Sequence, residues 1–374
     1  MQVGDRFKAK VEKLVFGGKG LIRHEGWVVF VADVIEGELV EVELTTKKKS
    51  YFEAALLGVV EPSKQRVKPP CPYFGTCGGC QMQHMDYAEQ LRVKRQLLVD
   101  ALRLESHIPV GATGAPNQWC YRRKVVLHGP EYGFFARDNT TIIPIERCLI
   151  FSERGFDEER AFLKRANLAP KRLTVLRDDQ DNRTIDTSQI KERTIEGLRI
   201  FYSAAVFTQN DPDQALQIYK DVLENIGPEP VAELYCGIGI FSQLAAKKCE
   251  KVLGVELNPA AIKFAKQSSD ANGIKNCTFI AKPCEKITKH ECCGYKQWIV
   301  NPPRVGLTKE VIALIEREAP ATLIYISCNP ATLARDAHAL KEQGYTIKKA
   351  QVYDMFAQTS HLETVVYFHK LLKN

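Results

Sequence analysis

From about residue 208 to the C-terminus, short hydrophobic runs alternate with amphipathic stretches of helical spacing, and this alternation restricts that half of the chain to a doubly wound α/β sheet. Its first run, VAELYCGIGIF, ends in a turn where Gly237 and Gly239 let the main chain approach a bound ligand before a helix starts. Nineteen residues after Gly237, the run KVLGVELN delivers Glu256 near its C-terminal end. A carboxylate there can accept both hydroxyl hydrogens of a ribose, so a nucleoside cofactor is implied. Phe241 stands where a dinucleotide fingerprint would continue toward its third glycine, which argues against NAD. Glu233, acidic and next to the turn, suits a cationic sulfonium better than a pyrophosphate.

Two further strand ends carry chemistry. In QWIVNPPRVGL the two prolines fix the backbone, so Asn301 and Arg304 are expected in a rigid loop at the edge where such sheets bind ligands. In TLIYISCNPATLARD a hydrophobic strand runs into Cys328-Asn329-Pro330 and then a helix. A thiol between a strand end and a helix N-terminus is expected to be exposed and lowered in pKa, as a nucleophile requires. The segment YDMFAQTSHLETVVYFHK places Glu363 at the start of a last strand, beside His361 and near Gln358.

The first half is organised differently. Residues 1–62 alternate apolar and polar positions in short runs, which reads as a small antiparallel β-barrel of oligonucleotide-binding type. Lys8, Lys10, Lys13, Lys19 and Lys47 to Lys49 accompany Phe7, Phe16, Phe30 and Phe52; such a set can hold an RNA backbone and stack bases, or can be a solvated face over core aromatics. Residues 63–207 read as a mixed α+β middle domain, and 208–374 as the α/β domain. The middle domain opens with Cys71, Cys77 and Cys80, three thiols within ten residues. With one distant cysteine they can hold a [4Fe–4S] cluster, whereas structural zinc usually takes ligands in two close pairs. Cys148 is the expected fourth ligand and Cys120 the alternative. The segment YAEQLRVKRQLLVDALRL has helical spacing, with Leu91, Leu97, Leu98, Ala101 and Leu102 available for burial. Arg92, Lys94, Arg95 and Arg103 give it a basic side, either solvated or facing RNA.

Twelve cysteines, with no export signal at the N-terminus MQVGDRFKAK, point to metal binding or catalysis in a reducing cytoplasm and away from disulfides. Cys277, Cys284, Cys292 and Cys293 lack ligand-like spacing and read as small structural residues. No run approaches the roughly 18 apolar residues that span a bilayer. The net charge of +7 favours a polyanionic partner.

The stretch VGDRFKAKVEKLVFGGKGL resembles the TRAM domain of RNA-modifying enzymes. SCNPATLARD and DMFAQTSHLETV, with the segments above, are similar to the 5-methyluridine methyltransferase family acting on ribosomal and transfer RNA, over nearly the whole chain. The added C-x5-C-x2-C loop and N-terminal barrel resemble the iron–sulfur members that modify 23S ribosomal RNA; the transfer RNA members generally lack that loop. The resemblance implies a monomeric enzyme using S-adenosylmethionine. Cys328 in SCNP would be the nucleophile and Glu363 in HLE the general base. Gln209 in FTQND, Tyr235 and Gly237 in LYCGIG, Gly239, Glu256 in GVEL, and Asn301 would contact the cofactor. The chain departs from the family pattern at Asn301, commonly Asp; at Ile240, commonly Asn; and at Lys282-Pro283-Cys284-Glu285, each change removing a polar contact.

The implied chemistry is physically required by the substrate. Carbon 5 of uracil is too weak a nucleophile to take a methyl group unaided, so a thiolate must first add to carbon 6. A base must then remove the proton left on carbon 5 before sulfur departs. The uridine must leave its stack to reach the thiol. Two other readings compete: a radical methylthiotransferase, whose loop would be C-x3-C-x2-C, and a non-enzymatic RNA-binding factor that kept the fold.

Overall fold

The computed structural model describes residues 1–165, 172–178, 182–185, 188–203, 205–207 and 209–371. The chain forms two compact units. One comprises residues 1–97, 117–181 and 356–361; the other comprises 98–116, 182–355 and 362–374.

The first unit begins with β1 (Arg6–Lys10), β2 (Lys13–Leu14), β3 (Gly20–His24), β4 (Trp27–Val31), β5 (Leu39–Lys47) and β6 (Tyr51–Glu61). Their sheet has the order β1-β5-β6-β4-β3-β2. Its two edges are successive pieces of one bent segment: Val11 N–H donates to Glu38 O on one side and Glu12 N–H to Leu21 O on the other. The sheet therefore closes into a barrel. Every pair is antiparallel except β4 with β6, which is parallel. Alternating residues Ile22, Val29, Val31, Val40, Val42 and Leu44 fill the interior. Phe52 is wholly buried among them and so belongs to the core, whereas Phe16 is 41% exposed.

The helix α1 (Tyr87–Leu102) follows. Its buried positions include Val93, Leu97, Leu98 and Leu102, while Leu91 and Ala101 are only half-buried. Lys94 is also fully buried, and its Nζ donates to Phe356 O at 3.1 Å. The expected basic outer side therefore loses Lys94, which spends its charge inside this unit. Next come β7 (Val110–Thr113), β8 (Lys124–His128), β9 (Phe134–Phe135), β10 (Ile142–Ile143), α2 (Asp157–Arg165), β11 (Arg172–Arg177) and β12 (Arg183–Thr184). β8 pairs antiparallel with β11, and β9 with β10.

The second unit adds the hairpin β13 (Lys191–Ile195) and β14 (Leu198–Tyr202), then α3 (Pro212–Glu224), β15 (Val231–Leu234), α4 (Ile240–Ala245), β16 (Val252–Glu256), α5 (Pro259–Ala271) and β17 (Cys277–Ala281). It continues through α6 (Lys289–Cys292), β18 (Gln297–Val300), α7 (Lys309–Glu318), β19 (Thr322–Ser327), α8 (Pro330–Glu342), β20 (Tyr345–Tyr353) and β21 (Glu363–Lys370). The eight-stranded sheet has the order β17-β16-β15-β18-β19-β21-β20-β7. Strands from β17 to β19 run parallel, β21 is antiparallel to both its neighbours, and β7 joins as a parallel edge. Every residue of β15 and β18 is buried, as expected of parallel strands covered on both faces. This is the Rossmann-like sheet that the alternation in the sequence implies. Chain progression reverses direction between β15 and β18, and sheets of this kind bind ligands at that switch point, outside the strands' C-terminal ends.

Candidate active site

The turn after β15 is built from left-handed residues: Tyr235 has φ +62°, Gly237 +54° and Gly239 +73°. Glycine is required at 239, where a Cβ would lie 2.5 Å from the Phe279 ring. At Gly237 a Cβ would meet nothing within 4 Å, so that face of the turn borders open space. Glu256, at the end of β16, is aimed at the same turn: its Oε2 accepts from Gly237 N–H at 3.1 Å and its Oε1 from Asn258 N–H at 2.9 Å. The hydroxyl oxygen of Tyr235 is buried without a hydrogen-bond partner, an orphaned polar atom that a ligand would satisfy. Asn301, half-buried at the end of β18, donates its N–H to Leu234 O. Gln209 lies two residues before Asp211, whose side chain caps α3, and Tyr219 of α3 packs edge-on against Phe241 of α4 at 4.8 Å.

Glu233 does not face the open side of the turn as its position in the sequence suggests. It is 1% exposed, and its Oε2 accepts from both the N–H and the hydroxyl of Ser242 in α4. Burial pushes its carboxyl up to about 8, with the Ser242 bonds opposing. Its role is therefore to hold the turn against α4.

The second cluster follows from strand register. β19 and β21 are antiparallel, with Ser327 opposite Thr364, and the Thr364 hydroxyl donates to Ser327 O at 2.9 Å. Cys328 follows Ser327 and Glu363 precedes Thr364, so the two side chains leave the chain at the same end of this strand pair, near enough for the charge of Glu363 to act on the thiol. Glu363 is 4% exposed; burial pushes its carboxyl up to about 8, and the Arg304 guanidinium offsets this only partly. The half-buried Cys328 thiol also lies above its ordinary range, first through burial and then through the charge of Glu363, with Arg304 pulling the other way by charge and by a side-chain hydrogen bond. The expected lowering at the helix N-terminus is thus overturned, because two tertiary effects outweigh a local one. Arg304, placed by the sequence only in a rigid loop, is the third member of this cluster.

The cysteines of the first unit act on one another by charge. Burial pushes Cys80 up to about 12, and the charges of Cys148, Cys77 and Cys71 add to it; Cys148 is likewise raised to about 12 by burial, with Cys77 contributing. Cys120 instead directs its Sγ to Leu149 O at 3.5 Å. Among the described residues, no three His, Cys, Asp or Glu side chains converge closely enough to hold a metal ion.

Residues 292–371 match the model of the tRNA (uracil-5-)-methyltransferase family, and residues 197–323 that of the methyltransferase small domain. An uncharacterized RNA methyltransferase of Protochlamydia amoebophila is 33% identical over 99% of each chain. One of Aquifex aeolicus is 30% identical over 96% of this chain and 97% of its own. Among solved structures, the Pyrococcus abyssi tRNA (uracil-54, C5)-methyltransferase in complex with S-adenosyl-L-homocysteine shares the fold with a TM-score of 0.79, covering 97% of this chain and all of its own, at 21% identity.

Proposed function

The chain belongs to the RNA uracil-5-methyltransferase family, S-adenosylmethionine-dependent enzymes that methylate carbon 5 of uracil in RNA, and on that premise we propose how its residues divide the work. Cys328 adds to carbon 6 of the target uridine. The bond from sulfur to carbon 6 makes carbon 5 electron-rich, and carbon 5 takes the methyl group that S-adenosylmethionine supplies. Glu363 then removes the carbon 5 proton, the double bond re-forms, and the Cys328 thiolate leaves. The observation carrying this reading is that Cys328 and Glu363 flank the Ser327–Thr364 pair at one end of β19 and β21 and act on each other by charge, with Arg304 interacting with both. Arg304 favours the thiolate before attack and the carboxylate afterwards.

The cofactor would be held by Gln209, Tyr235, Gly237, Gly239, Glu256 and Asn301. The unpartnered Tyr235 hydroxyl and the carboxylate at the Gly237 turn support this assignment. Asn301 keeps a carbonyl oxygen where the family commonly has a carboxylate, so that contact is neutral here.

Cys71, Cys77, Cys80 and Cys148 are read as the residues that would hold a [4Fe–4S] centre. Their influence on one another's thiols supports that reading, while among the described residues no three of them converge on a metal position. Such a centre would staple the loop of residues 71–80 to the segment around Cys148 and takes no part in the chemistry above. Anaerobically prepared protein should be brown and contain iron; stoichiometric zinc in colourless protein overturns this.

The substrate is read as 23S ribosomal RNA in the cytoplasm, met by a monomer whose residues 1–62, 63–207 and 208–374 act as RNA-binding barrel, cluster-bearing domain and methyltransferase domain. No helix among the described residues is long and apolar enough to cross a membrane. Mapping 5-methyluridine in ribosomal and transfer RNA of cells with and without the gene tests the target. Loss from ribosomal RNA is expected, and loss confined to transfer RNA reassigns it. Cys328→Ala should abolish turnover, and retained activity would remove the nucleophile.

A further inference from the structure

We propose that the Asp336 carboxylate is the positioning group of this site: it locks the loop that carries Arg304, and through that lock it holds the guanidinium at the Cys328 sulfur. This rests on the reading of Cys328 as nucleophile.

Asp336 lies on α8 and is 2% exposed. Burying a carboxylate is costly unless its oxygens are fully used. Here Oδ2 accepts from the Leu307 N–H at 2.7 Å and from the Tyr325 hydroxyl at 2.7 Å. Oδ1 accepts from Arg335 Nε at 2.8 Å and faces Arg335 Nη2 at 2.7 Å. Three elements therefore meet on one side chain: β19, three residues before Cys328; α8, which begins two residues after it; and the loop after β18.

The loop is fastened at three of its carbonyls. Arg335 Nη2 donates to Val305 O at 2.9 Å and to Leu307 O at 3.1 Å. Asn329 Nδ2 and the Thr332 hydroxyl donate to Arg304 O at 3.0 and 3.2 Å. The fit over the carboxylate is close: a Cβ at Gly306, where φ is +79°, would stand 2.4 Å from Asp336 Oδ2. Arg304 itself is exposed, and a long side chain rooted on a free loop would spread over many rotamers. Fixing its root at Arg304 O and at the neighbouring Gly306 and Leu307 is what keeps the guanidinium within reach of the thiol.

The test uses the full-length protein with Asp336→Asn and, separately, Tyr325→Phe. The asparagine keeps the size of the side chain but turns an N–H donor toward one of the existing donors. The readout is the rate of iodoacetamide alkylation at Cys328, followed by peptide mass mapping at one mildly alkaline pH, beside kcat, KM and the affinity for S-adenosylmethionine. Asp336→Asn should slow Cys328 alkylation roughly three- to tenfold, the effect of half to one unit in thiol ionisation. It should lower kcat roughly ten- to a hundredfold, the scale of a misplacement near 1 Å, while cofactor affinity stays within about twofold. Tyr325→Phe should move both rates in the same direction by less. If folded Asp336→Asn alkylates at the wild-type rate, the lock is wrong whatever happens to kcat; if that variant does not fold, an unchanged alkylation rate in Tyr325→Phe overturns the lock equally. Alkylation reads the contact between Arg304 and Cys328 without needing catalysis. Retained turnover in Cys328→Ala would sink the nucleophile reading alone.

Discussion

Replacing Glu363 by Gln separates the two halves of the proposed cycle. The amide keeps the shape of the side chain beside Cys328 but cannot take a proton. With its carboxyl raised to about 8, wild-type Glu363 is ionised in roughly one molecule in ten at pH 7, and one in two at pH 8. If proton removal limits release, the wild-type release rate should climb about tenfold from pH 7 to its alkaline plateau, because the base form is the deprotonated one. In Glu363→Gln this rise should vanish, and release should slow by about 10² to 10⁴, the usual worth of a positioned base. Methyl transfer precedes that step, so RNA should accumulate covalently bound to protein. A single-turnover reaction with a labelled methyl donor, quenched and run on a denaturing gel, would show the label in the slow-migrating adduct. Free methylated RNA appearing at the wild-type rate would refute the base assignment. An adduct without label would show that Glu363 acts before methyl transfer, against the order argued above.

Glu233→Gln should stabilise the protein increasingly as pH rises: the folded carboxyl sits at about 8 against an ordinary 4.5, so between those values the unfolded chain has released a proton that the folded one retains. Each pH unit in that window removes about 1.4 kcal/mol from the wild type but not from the variant, whose amide oxygen can still accept from Ser242; parallel urea unfolding curves at pH 5 and 8 would show the idea wrong. Gly239→Ala forces a left-handed alanine against Phe279 and should cost about 1–3 kcal/mol, read by thermal unfolding and by weakened binding of S-adenosylmethionine; unchanged values would mean the turn can relax. Lys94→Ala should destabilise by about 1–3 kcal/mol by leaving a cavity and removing the hydrogen bond to Phe356 O. Reduced RNA affinity with unchanged stability would instead put Lys94 back on an outer face.

The sequence exposes what depends on neighbours along the chain and hides what depends on register and burial. Parallel strands such as β15 and β18 are covered on both faces, so they stand out as apolar runs, and the glycine turn between β15 and α4 is local. β7 has no such mark. Val-Gly-Ala-Thr becomes a strand only because residues 350–353 of β20 offer it an edge. Lys94 is in principle legible, since it lies four residues from both Gln90 and Leu98 and both are buried, but a basic residue reads as outward by habit. Asp336 stands in plain sight at the end of SCNPATLARD. Its meaning needs the loop of residues 303–307 folded over it, a contact about thirty residues away in sequence.

The raised Cys328 thiol at first looks like an argument against a nucleophile, and it becomes one in favour once the two acids are taken as a pair. The charge of Glu363 adds to burial in raising the Cys328 thiol, so sulfur ionises more readily while Glu363 is neutral, and two anions at once are the costly state. In the proposed cycle that is enough. While Cys328 is to attack, Glu363 is better neutral, since a carboxylate beside it would hold the proton on sulfur. Once sulfur is bonded to carbon 6 it carries no charge, and Arg304, which favours the ionised carboxyl, is left facing Glu363 alone. The base is thereby released at the step that needs it. A lowered thiol with a permanently ionised Glu363 would require two buried anions served by one arginine, an arrangement that burial makes much the costlier.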